Sequence, residues 1–343
     1  MKVLLTGASG IVGQALLDRL VDADVTCLVH HAAVHRPGVN QIAGDLREPN
    51  LGLSPQQHHD LLTDVDWVVH CAAQTNFTES EGEIFRLNVR GTENIVTLAQ
   101  AAGARFCHVS TAFARLAEGP AQGVAPNAYA RSKGEAEAIV AASGLPYVIL
   151  RPSRIIGDSR TGAISRFQGF HLLFDLLHRS DGLVVAGSSE TYVDFVPVDS
   201  VADAIVLLLS KVPDNGAYWL TAGEDALSLR RTLDVEIAEI ARLTGRMPAV
   251  PVEVSRDEYE LEIRPRLFAS LPRELHAMLD GFLQMMDSLN LLPFPSSYEE
   301  LACMGLRPLP NPEATLRRNL LYWARKRGAV RVAGGRGLRG AGP

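Results

Sequence analysis

The chain is short of aromatic residues, at 6%, and has four cysteines, Cys27, Cys71, Cys107 and Cys303, none at a paired spacing. That excludes a zinc ribbon and a disulfide framework, and no metal site is expected. Three of the thiols fall in apolar, strand-like runs. Buried thiols in a reducing compartment, the cytoplasm, are therefore expected. Long hydrophobic runs are missing too. The longest, Ala204 to Leu209 with its neighbours, is far too short to span a bilayer. Charge of one sign is also lacking. A formal net charge of -6 gives no reason to expect a nucleic-acid partner. The first strand begins at Met1, so no secretory leader is expected.

What the chain does have is length, 343 residues, and 47% hydrophobic content, enough for a sizeable core in one large domain or one and a half. Its organising stretch comes first. Met1 to Thr6 is apolar and β-branched and reads as a strand. Gly7-Ala8-Ser9-Gly10-Ile11-Val12-Gly13 follows, and Gln14 to Val21 continues with helical periodicity. Strand, glycine turn and helix in that order make a pyrophosphate cradle. The glycines let the backbone approach, and the helix start offers free N–H groups. Gly7, Ser9, Gly10, Ile11, Val12 and Gly13 are the expected contacts. The spacing Gly-x-x-Gly-x-x-Gly is one residue longer in its first gap than the ordinary dinucleotide fingerprint.

Strand–helix alternation continues to about residue 157. Strands are predicted at 25–30, 40–43, 66–73, 106–111 and 147–152, with a long helix over 84–102. This predicts an α/β, Rossmann-type, doubly wound and mostly parallel sheet. The end of the second strand would face the adenosine ribose. An acid there would favour NAD, but the chain has His30 and His31, with Arg36 soon after. NADP(H) is therefore favoured, with NAD(H) the alternative. Asp45 and Leu46 would meet the adenine. Cys71, Ala72 and Ala73 are small residues that let a cofactor lie close. His70 and Asn88 are expected near the cofactor without a catalytic role.

The sharp chemical signal is Tyr129 with Lys133, four apart and so on one helix face. A lysine ammonium beside a phenol would lower its pKa, making Tyr129 a general acid or base. Thr111 or Ser110, at the end of the neighbouring strand, would donate to the same substrate oxygen. Lys133 would also hold the nicotinamide ribose. Glu135 and Glu137 read as ordinary solvated helix charges. Val109, Arg151, Pro152, Ser153 and Arg154 complete the expected cofactor wall.

Further on, a helical pattern over 167–177 carries histidines at 171 and 178 that look exposed. Asp199 is placed to cap a helix over 200–210. Residues 217–222 read as a last sheet strand, and 229–244 as an amphipathic helix ended by Gly245. The expected division is a cofactor-binding core at 1–160, a mixed segment at 161–245, a mainly helical substrate lobe at 246–325, and a basic, Gly-rich, disordered tail at 326–343.

Gly7-x-x-Gly10-x-x-Gly13, Ser110-Thr111 and Tyr129-x-x-x-Lys133 together resemble the extended short-chain dehydrogenase/reductase superfamily. Finer marks are Gly44-Asp45-Leu46, Leu51-Gly52-Leu53-Ser54, Asn88-Val89-Arg90-Gly91-Thr92, Arg151-Pro152-Ser153, Gly157-Asp158-Ser159-Arg160-Thr161-Gly162 and Phe195-Val196-Pro197-Val198-Asp199. These resemble the thioester reductase domains of carboxylic acid reductases and peptide or polyketide synthetases, and the fatty acyl-CoA reductases. The resemblance covers residues 1 to about 245. It implies NADPH-dependent reduction of a carrier-bound or CoA-bound acyl thioester to an aldehyde or alcohol, with Tyr129 as proton donor and Thr111 helping to hold the oxygen. No adenylation or carrier segment is recognised in these residues, so the acyl group is expected in trans. A monomer or homodimer with no membrane partner is expected. The rival readings are a nucleotide-sugar epimerase or dehydratase and a 3β-hydroxysteroid-like or flavonol-like ketone/alcohol reductase, which use the same Tyr, Lys and hydroxyl. A non-catalytic NADP-binding regulator is the different-class alternative. The apolar segments between 261 and 294 fit an acyl substrate a little better than a nucleotide sugar, with plain core as the other reading.

Overall fold

The computed structural model describes residues 1–63, 65–75, 79–114, 127–167, 169–179, 184–186, 190–211, 215–270 and 292–330. The run Val3-Leu4-Leu5 forms the heart of β1 (Lys2–Thr6) and is fully buried, as expected of a central strand covered on both faces. After the glycine turn come α1 (Ile11–Leu17), β2 (Asp24–Val29), β3 (Asn40–Ala43), α2 (Pro55–Thr63) and β4 (Trp67–His70). The helix predicted over 84–102 is longer and in two parts. α3 (Glu81–Phe85) passes through a π turn at Arg86–Arg90 into α4 (Gly91–Ala102). Such turns recur at functional sites, and this one holds Asn88. Then follow β5 (Arg105–Val109), α5 (Ala128–Ala142) and β6 (Tyr147–Pro152).

The chain continues through β7 (Arg154–Ile156), α6 (Gly169–Arg179), β8 (Val184–Ala186), β9 (Tyr192–Val193), β10 (Phe195–Pro197), α7 (Val198–Lys211) and β11 (Gly216–Leu220). After them come β12 (Leu227–Ser228), α8 (Leu229–Thr244), β13 (Val252–Val254), α9 (Arg256–Glu258), α10 (Arg264–Ser270), α11 (Tyr298–Cys303) and α12 (Pro312–Lys326).

Seven strands pair in the order β11-β6-β5-β4-β1-β2-β3, every neighbour parallel. This is the predicted Rossmann-type sheet, with β11 added beyond β6. The order reverses between β1 and β4, so a crevice opens at their carboxyl ends, where open α/β sheets take ligands. One face packs on α1 and α7 through Val12, Leu16, Val201 and Leu208. The other packs on α2, α4 and α5 through Leu61, Ile95 and Val140.

A second core joins α6, α8 and α12 around Phe174, Leu233, Ile240, Leu320 and Trp323. His171 belongs to this core rather than to the surface. It is 1% exposed, with its ring 5.0 Å from that of Phe167 and 5.4 Å from that of Phe174. Three positions before Phe174 on the same helix, it shares the apolar face. His178 is half-buried. α7 starts two residues early, so Asp199 lies inside its first turn and does not cap it. Its carboxylate instead accepts the Ser159 N–H at 2.7 Å and hydroxyl at 2.6 Å. On α12, Arg317 pairs with Glu239 and Glu313, and Arg327 just beyond it pairs with Asp175. The tail beyond residue 330, the loop at 115–126 and residues 271–291 of the expected substrate lobe lie outside the described residues.

Candidate active site

The glycine turn has little room to spare. Gly7 adopts φ +72°, and a Cβ there would lie 2.5 Å from the backbone nitrogen of Ala72. A Cβ on Gly13 would lie 2.3 Å from the Gly7 carbonyl oxygen. Backbone therefore touches backbone where β1, β4 and α1 meet, and side chains are excluded. Gly10 is the N-cap of α1, with no side-chain cap and no acid in the first turn, which leaves the helix start open to an anion. Ile11 and Val12 are buried behind it, and the Ser9 carbonyl accepts from the Gln14 amide. Half-buried Cys71, Ala72 and Ala73 form the opposite lip, after β4. These residues fit a dinucleotide.

At the adenosine end, Asp45 is engaged by Arg47 in a two-pronged ion pair of 2.7–3.1 Å. The guanidinium holds the Asp45 carboxyl down at about 2. The same guanidinium reaches His30 Nε2 at 3.2 Å. Arg36 is drawn onto Asp18, beside the end of α1. Arg47 thus stands as the cation between β2 and β3. Sequence reasoning passes over it, although its place directly after Gly44-Asp45-Leu46 is a usable signal. Asn50 and Leu51 take left-handed φ values of 51° and 60°, and the Leu51 carbonyl accepts the Asp45 N–H at 2.8 Å. Leu51 and Leu46 are buried beneath that curl.

Asn88 is a tether. It receives the Gln74 N–H at 2.7 Å and donates to the Gln74 carbonyl at 3.1 Å and the Ser132 hydroxyl at 2.9 Å. His70 is clamped between the Thr6 hydroxyl at 2.7 Å and the Thr92 hydroxyl at 3.1 Å. Burial pushes its pKa down to about 3, with the Lys133 charge acting in the same direction. It is a neutral brace of the sheet end.

α5 begins with Asn127, whose side chain caps it by accepting the Ala130 N–H at 2.8 Å. Tyr129 and Lys133 then point the same way, toward the carboxyl end of β5. The Thr111 hydroxyl hydrogen-bonds the Tyr129 side chain. Lys133 is 2% exposed. Its Nζ donates to the Val109 carbonyl at 2.8 Å and lies 3.2 Å from His108 Nε2. The Lys133 ammonium is therefore engaged by β5, not by the phenol. Burial pushes the Tyr129 phenol up to about 12, opposite to the lowering expected from the sequence. Burial brings Lys133 down to about 8, opposed by the Glu137 charge.

Glu137 also departs from expectation. It is 1% exposed, not solvated, and bonds Arg151 at 2.7 Å and the Ser110 hydroxyl at 2.5 Å. Four residues after Lys133, it shares that inward face, whereas Glu135 is exposed as expected. Ser110 is therefore occupied beneath the site while Thr111 is presented at it. Arg151, also stacked 5.1 Å over the Trp219 ring, braces β6 rather than facing a ligand freely. The Pro152 carbonyl accepts from Thr111 at 3.5 Å, and the Ser153 N–H donates to the Leu220 carbonyl at 3.1 Å. Half-buried Arg154 lies 4.8 Å over the Phe113 ring, on the rim of the crevice. Among the described residues no cluster is placed to hold a metal, and no helix is long and apolar enough to cross a membrane.

The chain has relatives among known proteins. Residues 33–205 match the NAD-binding family described as "Male sterility protein". A linear gramicidin synthase of Brevibacillus parabrevis is 33% identical over 251 residues, covering 60% of this chain and 5% of that one. Fatty acyl-CoA reductase 1 of Xenopus laevis is 28% identical over 273 residues, covering 59% of this chain and 53% of the other. The chain thus spans about half of that reductase and about a twentieth of the synthase. Among solved structures, the terminal R domain of the myxalamid PKS-NRPS biosynthetic pathway superposes with a TM-score of 0.76 at 25% identity, over 95% of this chain and 91% of that one. With the match spanning β3 to α7 and the glycine cradle completing the crevice on its N-terminal side, the chain belongs to this NAD-binding male sterility protein family of Rossmann-fold, extended short-chain dehydrogenase/reductase-type proteins.

Proposed function

We propose that this chain is an NADPH-dependent reductase of acyl thioesters, acting on an acyl group delivered in trans on a carrier protein or on CoA. The observation that carries the reading is the convergence of Tyr129, Thr111 and Lys133 at the carboxyl end of β5, beside a glycine cradle that excludes side chains. Bound in the crevice, the reduced nicotinamide would supply hydride to the thioester carbonyl carbon. The protein's own part is proton supply and positioning. A phenol pushed up to about 12 stays protonated at neutral pH, so Tyr129 holds a proton for the oxygen as its charge develops. Thr111 donates a second hydrogen bond to that oxygen. The hemithioacetal then collapses to aldehyde and thiol. No protein nucleophile is required.

The preference for NADP over NAD rests on the adenosine end. Arg47 and His30 offer donors there, and the carboxylate that touches both, Asp45, is paired with Arg47. The thioester preference is supported by the family and by the likeness to the R domain and the acyl-CoA reductase. Four free cysteines suit a reducing cytoplasm. The test is NADPH oxidation against acyl-CoAs, acyl-carrier thioesters, aldehydes, ketones and nucleotide sugars. Turnover of thioesters supports the reading. Turnover of nucleotide sugars alone, without net NADPH consumption, would replace it by the epimerase reading.

A further inference from the structure

The Glu137 carboxylate takes part in none of the chemical steps above, yet it is among the most heavily bonded groups in the core. Its Oε1 accepts from the Ser110 hydroxyl at 2.5 Å and from Arg151 Nε at 3.1 Å. Its Oε2 accepts from the Arg151 guanidinium at 2.7 Å. Arg151 belongs to β6 and Ser110 directly follows β5, so one carboxylate ties α5 to two adjacent strand ends. Ser110 is further fixed by its N–H, which donates to the Leu150 carbonyl at 2.7 Å. The next residue is Thr111, and the preceding carbonyl, Val109, is the acceptor of Lys133.

The electrostatic surroundings of Lys133 point the same way. The groups around it are His70 and Cys71 from β4 and just beyond, with Cys107 of β5 beside Cys71, then His108 of β5, Tyr129 and Glu137 from its own helix, and Arg151 of β6 behind Glu137. Burial keeps both histidines neutral. The Cys71 thiol is pushed up to about 12 and the Cys107 thiol well above its usual value, both by burial. Glu137 therefore brings the one formal negative charge to this set. A buried ammonium without a counter-charge sheds its proton.

We propose that Glu137 is a positioning residue of the active site: anchored by Arg151 and Ser110, it keeps Lys133 charged in the interior and fixes the Val109–Thr111 peptide to which Lys133 and Tyr129 bond. The proposal rests on the reading that Lys133 and Thr111 serve the reaction. Its first test is chosen to need no substrate.

The chain has four lysines, Lys2, Lys133, Lys211 and Lys326, few enough for each ε-carbon to be followed by NMR in lysine-labelled protein. Glu137→Gln removes the charge but strands Arg151. Glu137→Gln with Arg151→Met removes both members of the pair, a change that buried ion pairs often tolerate. In either folded variant Lys133 should titrate at least one pH unit lower than in the wild type, a roughly tenfold shift in its protonation equilibrium. In the thioester assay the alkaline limb of kcat/KM should move down with it, so that loss is far greater at pH 8 than at pH 6. Glu137→Asp should recover part of both. Lys133 titrating as in the wild type in a folded variant overturns the proposal. So does an equal loss of activity at every pH. Failure of both variants to fold would make Glu137 purely structural and overturn it as well. Absence of thioester turnover in the wild type would count against the proposed reaction while leaving the lysine titration to stand or fall alone.

Discussion

Replacing Gly13 by alanine tests the cofactor cradle at its tightest point. The added Cβ would lie 2.3 Å from the Gly7 carbonyl oxygen, 2.7 Å from the Ala8 Cα and 2.9 Å from the Gly7 carbonyl carbon. All three are backbone atoms, so no side chain can swing aside, and α1 must move off the turn by about an ångström to restore van der Waals contact. Overpacking of this kind costs about 1–3 kcal/mol. Spread over a chain this large, that is a fall in Tm of about 1–4 °C. The displaced groups are the ones that would face a pyrophosphate. NADPH affinity should therefore fall by roughly the same free energy, about 5- to 150-fold. Fluorescence titration with NADPH and thermal unfolding with and without it are the assays. Gly82→Ala is the control, since a Cβ there meets nothing within 4 Å and the position is in the first turn of α3. Alanine should be neutral or stabilising there by up to about 1 kcal/mol. If Gly13→Ala bound NADPH and unfolded like the wild type, the cradle would not be where the dinucleotide sits.

Other perturbations separate the parts of the site. Tyr129→Phe should still bind NADPH while kcat falls by about 10²- to 10⁴-fold, as expected for loss of a general acid; unchanged turnover would remove Tyr129 from that role. Arg47→Ala should weaken NADPH by about 10- to 100-fold, the worth of a charge-assisted hydrogen bond or two, and leave NADH nearly unchanged; equal effects on both cofactors would show that Arg47 does not read the 2′-phosphate. Acid stability should follow the buried histidines. The His70 imidazole is held at about 3 by burial, below its ordinary value of 6.5. Unfolding lets it bind a proton, so its contribution is complete above about pH 6.5 and is lost as the pH falls from there through about 3. Tm should begin to fall below about pH 6.5, and His70→Gln should flatten that slope in a pH series of melts. A slope that stayed the same would assign the acid sensitivity elsewhere.

The sheet is legible in the sequence because each parallel strand is covered on both faces and so reads as a near-continuous apolar run. Val3-Leu4-Leu5 and Val148-Ile149-Leu150 are buried throughout. The Tyr129–Lys133 pair is legible from its spacing, which puts both residues on one helix face, together with its place after the glycine turn and the strand ending in Ser110-Thr111. Spacing does not say what else lies on that face. Glu137, another turn along, looks like a surface charge until β6 places Arg151 against it, 14 positions away in sequence. The direction of the Tyr129 shift is hidden for a related reason. The Lys133 ammonium finds the Val109 carbonyl and His108, which a helical wheel does not display. Asp199 resembles a cap because it stands just before an apolar helical run. Its acceptor role is instead to Ser159, in a turn 40 residues earlier. Arg36 and Arg47 look alike as candidate cations. Only the folded edge of the sheet shows that Asp18 takes Arg36 away while Arg47 comes to rest between His30 and Asp45.

The most direct test is a single turnover with NADPH carrying deuterium at the transferable position of the nicotinamide and a pantetheine-linked acyl thioester, with products read by mass spectrometry. The account predicts an aldehyde, or an alcohol after a second reduction, with deuterium on the former carbonyl carbon and one free thiol released per acyl group, all suppressed in Tyr129→Phe. Intact thioester and unoxidised NADPH across short and long acyl chains, from a protein that binds NADPH tightly, would contradict it.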